Sequence, residues 1–172
     1  MRYVFLVFSV FLIAACSKEQ VKISGKILNA DNKMLYLEEV NLYNASKKDS
    51  VKLNKNGNFS FKFETPVSCF YQLRISPEQT ILLFPNPGDK IKVEADASNI
   101  LSSLKTHGST DTEQITKLIR MLNETKHRLD SISVLYEKTT DETKRGQLNK
   151  EYQTILEGHR KASIGYILTN YK

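Results

Sequence analysis

The chain has 172 residues, with 25 Lys and Arg against 19 Asp and Glu, two cysteines, three histidines and no tryptophan. This length and an apolar content of 40% are typical of one globular domain, or of one domain with an extension. Two cysteines exclude a disulfide framework and a cysteine-rich zinc site. The sequence also lacks the short signatures of P-loop, dinucleotide-binding, zinc-protease and serine-hydrolase enzymes. We therefore predict a protein that is not an enzyme and that needs no cofactor or metal.

The N-terminus carries an apolar run over residues 4–15, which only Ser9 interrupts. A membrane-spanning helix needs about 20 apolar residues, whereas a run of this length fits the core of a secretory signal. The run ends in Ile13-Ala14-Ala15-Cys16, which resembles the bacterial lipobox. We predict that residues 1–15 form a lipoprotein signal peptide, that Cys16 is lipidated, and that residues 16–20 form its tether. An ordinary cleaved signal or an uncleaved apolar N-terminus are the alternatives.

Acyl chains on Cys16 would anchor the protein to a membrane, because several chains on one residue bind stably where one chain does not. Ser17 follows the cysteine in place of Asp, which resembles the enterobacterial sorting pattern for the outer membrane. We therefore expect a cell-envelope location, with the periplasmic or surface face left open. Basic residues are spread evenly along the chain, whereas nucleic-acid binders cluster them on one face. We expect no nucleic-acid partner.

The first half of the chain alternates apolar and polar residues, and all four prolines lie before residue 90. Alternation with period two predicts strands. Seven strands are predicted, over residues 21–27, 34–40, 51–53, 59–63, 69–75, 81–84 and 91–95. The turn residues 54–58 predict a hairpin, and the continuous apolar run 81–84 predicts a strand buried on both faces. Together these segments predict an antiparallel β-sandwich or open barrel over residues 21–108.

The second half of the chain changes to heptad spacing, so the whole chain is predicted to be α+β. Thr110 and Glu113 belong to a capping-box pattern, and Thr139-Thr140-Asp141 supplies good N-cap residues for a second helix. The predicted seam residues are Ile115, Leu118, Leu122, Thr125, Leu129, Ile132 and Tyr136, then Leu148, Tyr152, Ile155, His159, Ala162, Tyr166 and Thr169. Residues 109–172 are therefore predicted to form a long antiparallel α-helical hairpin that packs partly on the sheet.

Six short motifs in the chain resemble a domain family of lipoproteins from Bacteroidota, the domain of unknown function numbered 4369. They are Val21-Lys22-Ile23-Ser24-Gly25-Lys26-Ile27, Lys48-Asp49-Ser50-Val51, Asn56-Gly57-Asn58-Phe59-Ser60-Phe61, Phe70-Tyr71-Gln72-Leu73, Pro87-Gly88-Asp89-Lys90-Ile91 and His107-Gly108-Ser109. The resemblance covers roughly residues 21–135. It implies a domain that usually precedes a thioredoxin-like domain in exported thiol–disulfide oxidoreductases. The redox Cys-x-x-Cys motif has no counterpart here, so the resemblance implies no catalytic residue.

Few other residues are candidates for chemistry. Cys69 lies in phase with apolar strand residues, so we predict a buried structural thiol. His107, His127 and His159 have no partner at metal-ligand spacing, and we interpret them as surface or seam residues. Asp49 and Ser50 could suggest a nucleophile, but no base or oxyanion donor is identifiable. Ser50 and Asp89 are interpreted as turn residues. The aromatic residues Tyr36, Tyr43, Tyr71 and the phenylalanines could form a glycan-stacking platform, but their alternation favours core packing.

Three functions remain compatible with these observations. The leading hypothesis is a lipid-anchored, non-catalytic envelope protein that acts as an accessory or binding module. It would contact the membrane through Cys16 and a protein partner or a thioredoxin-like domain through its folded part. The second is the N-terminal domain of an exported thiol–disulfide oxidoreductase whose thioredoxin-like domain is missing from this chain. The third is a surface lipoprotein that binds glycans.

Overall fold

The structure is a computed structural model that describes residues 20–170. The predicted signal peptide and Cys16 lie outside the described residues. Eleven elements follow one another: β1 (Gln20–Leu28), β2 (Met34–Val40), β3 (Ala45–Lys52), β4 (Asn58–Glu64), β5 (Phe70–Ser76), β6 (Gln79–Leu83), β7 (Lys90–Asp96), α1 (Ile100–Ser103), β8 (Lys105–His107), α2 (Thr110–Lys138) and α3 (Glu142–Asn170). The strands form two four-stranded sheets, sheet A in the order β4-β1-β7-β8 and sheet B in the order β3-β2-β5-β6.

The predicted α+β class is confirmed, since two open sheets are followed by two long helices. Two details of the antiparallel scheme are wrong. β1 pairs with β7 in parallel, with Ile23 opposite Ile91, because the whole of β2 to β6 separates the two strands and no hairpin constrains them. The turn at residues 54–58 does not close a hairpin, because β3 belongs to sheet B and β4 to sheet A. The chain instead crosses from one sheet to the other at this turn.

The core lies between the two sheets, and the alternating residues of both sheets fill it. β1, β4 and β7 contribute Val21, Ile23, Ile27, Phe59, Phe61, Ile91 and Val93, while β2, β5 and β6 contribute Leu35, Leu37, Tyr71, Leu73, Ile81 and Leu83. On β6 and just after it, the side chains of Leu82 and Phe84 are only half-buried, so this segment is less covered on its outer face than the sequence predicts. A fully apolar interior of this kind is the main stabilising term of a small domain.

Two glycines occupy places that a larger residue cannot fill. A Cβ on Gly25 would come within 1.8 Å of the Val93 carbonyl oxygen, where β1 runs beside β7. Gly57 has a φ of +68°, a left-handed conformation that favours glycine. Its carbonyl accepts a hydrogen bond from Ile27 N–H at 2.9 Å, which ties the β3–β4 turn to the end of β1. These contacts explain why glycine stands at both motif positions.

The short helix α1 and the edge strand β8 were not predicted, and together with α2 they cover one side of the sandwich. β8 extends sheet A beside β7, and α2 packs against both β8 and β6. Thr106 and Thr116 share a buried hydrogen bond at 3.0 Å, and Arg120 donates to the Leu104 carbonyl at 2.6 Å. Edge strands expose unpaired backbone groups, so the first three turns of α2 protect the edges of both sheets.

The helix caps differ slightly from the prediction. Ser109, not Thr110, caps α2, and Glu113 reaches back to accept from Gly108 N–H at 2.9 Å. The capping pattern is therefore displaced by one residue. Gly108, with a φ of +90°, follows β8, and Ser109 after it has the extended backbone of an N-cap residue. Asp141 caps α3 as predicted, with its carboxylate accepting from Thr143 N–H at 2.9 Å.

α2 and α3 form the predicted antiparallel hairpin, with the seam best buried at its middle. Ile132 and Ile155 are buried, and Thr125 meets His159 across the seam. Four residues that were predicted to lie in the seam are exposed, namely Leu122, Tyr136, Ala162 and Thr169. An α-helix drifts by about 20° per heptad relative to a strict seven-residue repeat, so a seam that is buried at its centre turns outward along a long pair of helices.

The connections between the strands lie at the two ends of the sandwich. The register places the start of β1 beside the end of β4, with Gln20 opposite Glu64, and the start of β5 beside the end of β2. The short connection 65–69 joins β4 to β5, and residues 84–89 join β6 to β7, so these ends of the two sheets coincide. We call this end, where β1 begins, the β1-start end. The turn at 54–57 lies at the opposite end.

The core assignment predicts the effect of removing one aromatic ring. Phe61 is buried on β4 opposite Ile23, so Phe61→Ala should lower the free energy of unfolding by about 3–5 kcal/mol. Urea denaturation followed by circular dichroism measures this change. Lys62→Ala on the same strand faces solvent and serves as the control. If the two variants were equally stable, Phe61 would not lie in the core.

Candidate functional site

Cys69 lies in the connection just before β5, at the β1-start end, and not within the strand. It is half-buried rather than buried, because the connection turns there and covers only one side of the thiol. Its sulfur packs against the edge of the core and lies 3.6 Å from the Thr65 hydroxyl. The prediction of a buried thiol is therefore wrong, because the Cys69 side chain is only half-buried. The sequence offers Cys69 no second thiol other than Cys16.

The group next to Cys69 is Tyr71, which is 2% exposed. Burial raises the pKa of the Tyr71 phenol to about 12, and the adjacent Cys69 and Glu39 act in the same direction. Its ring packs on Phe63 with the centroids 4.6 Å apart. A phenol with so high a pKa stays protonated near neutral pH, so it cannot act as the base that would activate the neighbouring thiol.

The three histidines lie far apart. His107 is on β8, and His127 and His159 are on different helices. Within residues 20–170, no group of three His, Cys, Asp or Glu side chains could hold a metal ion. Nδ1 of His159 lies 2.9 Å from the Thr125 hydroxyl, which itself donates to the Met121 carbonyl at 2.8 Å. The interpretation of His159 as a seam residue therefore agrees with its place between the helices.

Of the two residues interpreted as turn residues, only Asp89 lies in a turn. Asp89 ends the β6–β7 connection, where its carboxylate accepts from Asn86 N–H at 2.9 Å. Asp49 and Ser50 instead lie within β3, opposite Leu37 and Tyr36. The turn interpretation is wrong for Ser50, because β3 begins at Ala45, well before the alternation of apolar residues becomes visible in the sequence.

The aromatic residues considered for glycan stacking are dispersed. Tyr71 lies in the core, as its alternation predicts, whereas Tyr43 is 93% exposed at the β2–β3 turn, where no element can cover it. Tyr36 lies on the outer face of sheet B, in phase with Glu38 and out of phase with the buried Leu37. Phe70 is also exposed. The expectation of core packing is therefore wrong for Tyr36, Tyr43 and Phe70.

The outer face of sheet B carries a polar cluster that sequence reasoning missed, and we call Tyr36, Glu38, Gln72 and Arg74 the β2–β5 cluster. The register places Tyr36 opposite Arg74 and Glu38 opposite Gln72. Arg74 Nε lies 2.9 Å from Glu38 Oε2, and Arg74 Nη2 also contacts Oε1. Gln72 Nε2 donates to Oε2 at 2.7 Å. Both carboxylate oxygens of Glu38 are therefore engaged.

The electrostatics of the β2–β5 cluster follow from this geometry. Glu38 is 5% exposed, and the hydrogen bond from Arg74 holds the pKa of its carboxyl below the ordinary 4.5, although burial opposes the shift. The same contact raises the pKa of the Arg74 guanidinium. The guanidinium also lies 4.7 Å from the centroid of the Tyr36 ring, and Lys47 Nζ lies 5.3 Å from it. Such cation–π contacts attract the cations to the ring face.

The β2–β5 cluster is suited to joining β2 to β5 and to presenting a polar surface, and it is poorly suited to acid–base catalysis. An ionised carboxylate that accepts from both Arg74 and Gln72, with a depressed pKa, is a poor proton acceptor near neutral pH. The cluster reaches solvent through Tyr36 and the partly exposed Arg74. Lys47, which lies over the Tyr36 ring, borders it there. Opposite charges in two predicted strands were the available signal, but the sequence does not say that β2 lies beside β5.

The fold and these sites define a class: an α+β sandwich domain with a helical arm and a saturated polar cluster on one outer face. The chain belongs to the family described as Domain of unknown function (DUF4369), whose model matches residues 21–115, more than half of the chain. The match covers the sandwich and the start of α2. Most of the helical hairpin lies beyond it.

Other comparisons add little. No curated protein matches the chain. Among solved structures, the crystal structure of (S)-allantoin synthase matches with a TM-score of 0.34 and 13% identity, over 55% of this chain and 45% of that chain. The chain thus spans less than half of that protein, and a likeness of this degree carries no argument about function. In the part of the chain that the structure describes, no helix is long and apolar enough to cross a membrane.

The paired carboxylate of Glu38 makes a prediction about stability and pH. Arg74→Met should lower the free energy of unfolding by about 1.5–3 kcal/mol at pH 7, as expected when a hydrogen bond to a charged group is lost. The pKa of Glu38 is lower in the folded than in the unfolded chain, so the pair stabilises the fold above pH 4.5. The difference between the variant and the wild type should therefore shrink as the pH falls below 4.5.

Urea titrations at neutral and acidic pH measure both effects. Lys48→Met is the matched control, because Lys48 pairs with Glu39 through side chains that are 45% and 33% exposed. Exposed pairs contribute only about 0–1 kcal/mol. Equal destabilisation by the two variants, independent of pH, would contradict the role assigned to Arg74.

Proposed function

We propose that the protein is a lipid-anchored cell-envelope protein, attached through Cys16, that serves as a non-catalytic accessory or binding module. The observation that carries the proposal is the position of the first strand. β1 begins at Gln20, four residues after the cysteine that ends the lipobox-like sequence. If Cys16 is lipidated, a strand that begins four residues later holds the folded domain at the membrane on a short tether.

The sites in the sandwich support a role without catalysis. Glu38 has both oxygens engaged, and Cys69 has Thr65 and the protonated phenol of Tyr71 as its polar neighbours. Disulfide exchange needs a thiolate and usually a second thiol to resolve the mixed disulfide. Under this proposal the sulfur of Cys16 is joined to lipid, which leaves one thiol. We therefore propose that the domain acts by binding a partner through its surface.

The two other hypotheses make different demands on the protein. A role as the N-terminal domain of a thiol–disulfide oxidoreductase needs a thioredoxin-like domain as partner, and the resemblance of the motifs is its support. Glycan binding needs exposed aromatic rings, and Tyr36 beside Lys47 and Arg74 is the surface that favours it. The outer membrane remains the proposed location under all three.

Lipidation gives the direct test of the proposal. Cells that express the wild type and are fed an alkyne analogue of palmitate should label the protein, because acyl chains are attached at Cys16. Cys16→Ala should not be labelled and should leave the membrane fraction. Cys69→Ser retains the lipobox-like sequence and is the matched control, which should be labelled as strongly as the wild type. Labelling of Cys16→Ala would contradict the assignment.

A second prediction concerns redox chemistry. The full-length protein in detergent should not accelerate the reduction of insulin by dithiothreitol, since one half-buried thiol cannot both attack and resolve a disulfide. Turbidity of the insulin B chain measures the rate, with thioredoxin as a positive control. Acceleration that disappears in Cys69→Ser would show that this thiol is catalytic, and would favour the oxidoreductase hypothesis.

A further inference from the structure

The turn that joins β2 to β3 presents two apolar side chains to solvent. Leu42 is 94% exposed and Tyr43 is 93% exposed, more than any other large apolar residue of the described chain. At the opposite end of the sandwich, Leu28 and Met34 are 46% and 36% exposed. Single exposed apolar side chains are ordinary on a protein surface, whereas a contiguous group of them marks a binding surface.

Three backbone N–H groups of this turn have hydrogen-bond acceptors within it. Asn41 Oδ1 accepts from the backbone N–H groups of Tyr43 and Asn44, each at 3.0 Å. Asn41 Nδ2 donates to Asn44 Oδ1 at 2.7 Å, and Asn41 N–H donates to the Asn44 carbonyl at 2.9 Å. Two asparagines thus close the turn and leave Leu42 and Tyr43 at its apex. These three pairs lower the cost of moving the turn into a less polar environment, because a polar group that is already hydrogen-bonded loses less when water is removed.

The turn lies at the β1-start end of the sandwich. β2 ends at Val40, which pairs with Phe70 at the start of β5. The connection 65–69 leads from there to the end of β4, where Glu64 pairs with Gln20. The apex of the β2–β3 turn and the first residue of β1 therefore lie at one end of the molecule, on two sheets whose planes are about 10 Å apart.

Val67, which is 63% exposed, lies in the same connection and adds a third uncovered apolar side chain to this end. The length of chain outside the described residues limits how far this end can be from a bilayer. Gln20 follows Cys16 by four residues. An extended chain covers at most about 14 Å in four steps, so the anchor keeps the β1-start end close to the membrane surface.

We infer that the β1-start end faces the lipid bilayer and that Leu42 and Tyr43 enter its interfacial region. The inference rests on the proposed lipidation of Cys16, because the acyl chains hold this end at the membrane. Leucine contributes apolar surface, and tyrosine favours the interface, where its ring meets acyl chains and its hydroxyl meets water. The turn acts as a second contact that fixes the orientation of the sandwich on its anchor.

The chain has no tryptophan, so a single introduced tryptophan reports its own surroundings. Full-length Tyr43→Trp is purified from membranes and reconstituted into vesicles of phosphatidylethanolamine and phosphatidylglycerol, with or without brominated acyl chains. Lys55→Trp is the matched control, because Lys55 is exposed in the β3–β4 turn at the opposite end. Leu42→Trp is a second probe of the same apex. Mass spectrometry of each sample reads the lipid on Cys16.

Bromine should quench the fluorescence of Tyr43→Trp and Leu42→Trp several-fold more strongly than that of Lys55→Trp, and the emission of both apex variants should be blue-shifted. Equal quenching of lipidated Tyr43→Trp and Lys55→Trp would overturn the inference and leave the proposed function intact. A protein without lipid on Cys16 would contradict both. If Leu42 and Tyr43 bind another protein instead of lipid, the apex variants would likewise stay unquenched in vesicles, which overturns the inference.

Discussion

β1 pairs with β4 on one side and with β7 on the other, and this double pairing fixes the register of sheet A, on which the core depends. Its alternating residues Val21, Ile23 and Ile27 are fully buried. A one-residue slip would turn all three towards solvent. The backbone of β7 approaches so closely at Gly25 that no side chain fits there. The position of the first strand therefore depends on the packing of its buried residues, on its register with β4 and β7, and on glycine at position 25.

The outer face of sheet B is held differently. Arg74 and Gln72 on β5 bind one carboxylate on β2, and the planar guanidinium fits the carboxylate only in one register. A buried ion pair adds little net stability relative to an apolar pair, because both groups lose water. Its contribution here is specificity, since any other alignment of β2 on β5 would leave Glu38 without its donors.

Much of the fold could be predicted from the sequence, because alternation and capping are local signals. All seven predicted strands are present, and Asp141 begins α3 as expected. The pairing of strands could not be predicted, since β1 and β7 meet across a long stretch of chain. The same reason hid the β2–β5 cluster, whose members are recognisable only once Glu38 and Gln72 are known to lie opposite each other. Strand β8 is three residues long and exists because α2 packs on it.

The helical hairpin also has a consequence for the order in which the chain can fold. The first turns of α2 cover the open side of the sandwich through Thr116 and Arg120. A chain that is synthesised from its N-terminus presents every strand before it presents this cover. β1 must likewise wait for β7, so its contacts are long-range and slow to form. During that interval the strand edges are open to other chains, so the incomplete molecule is prone to aggregate until α2 has docked.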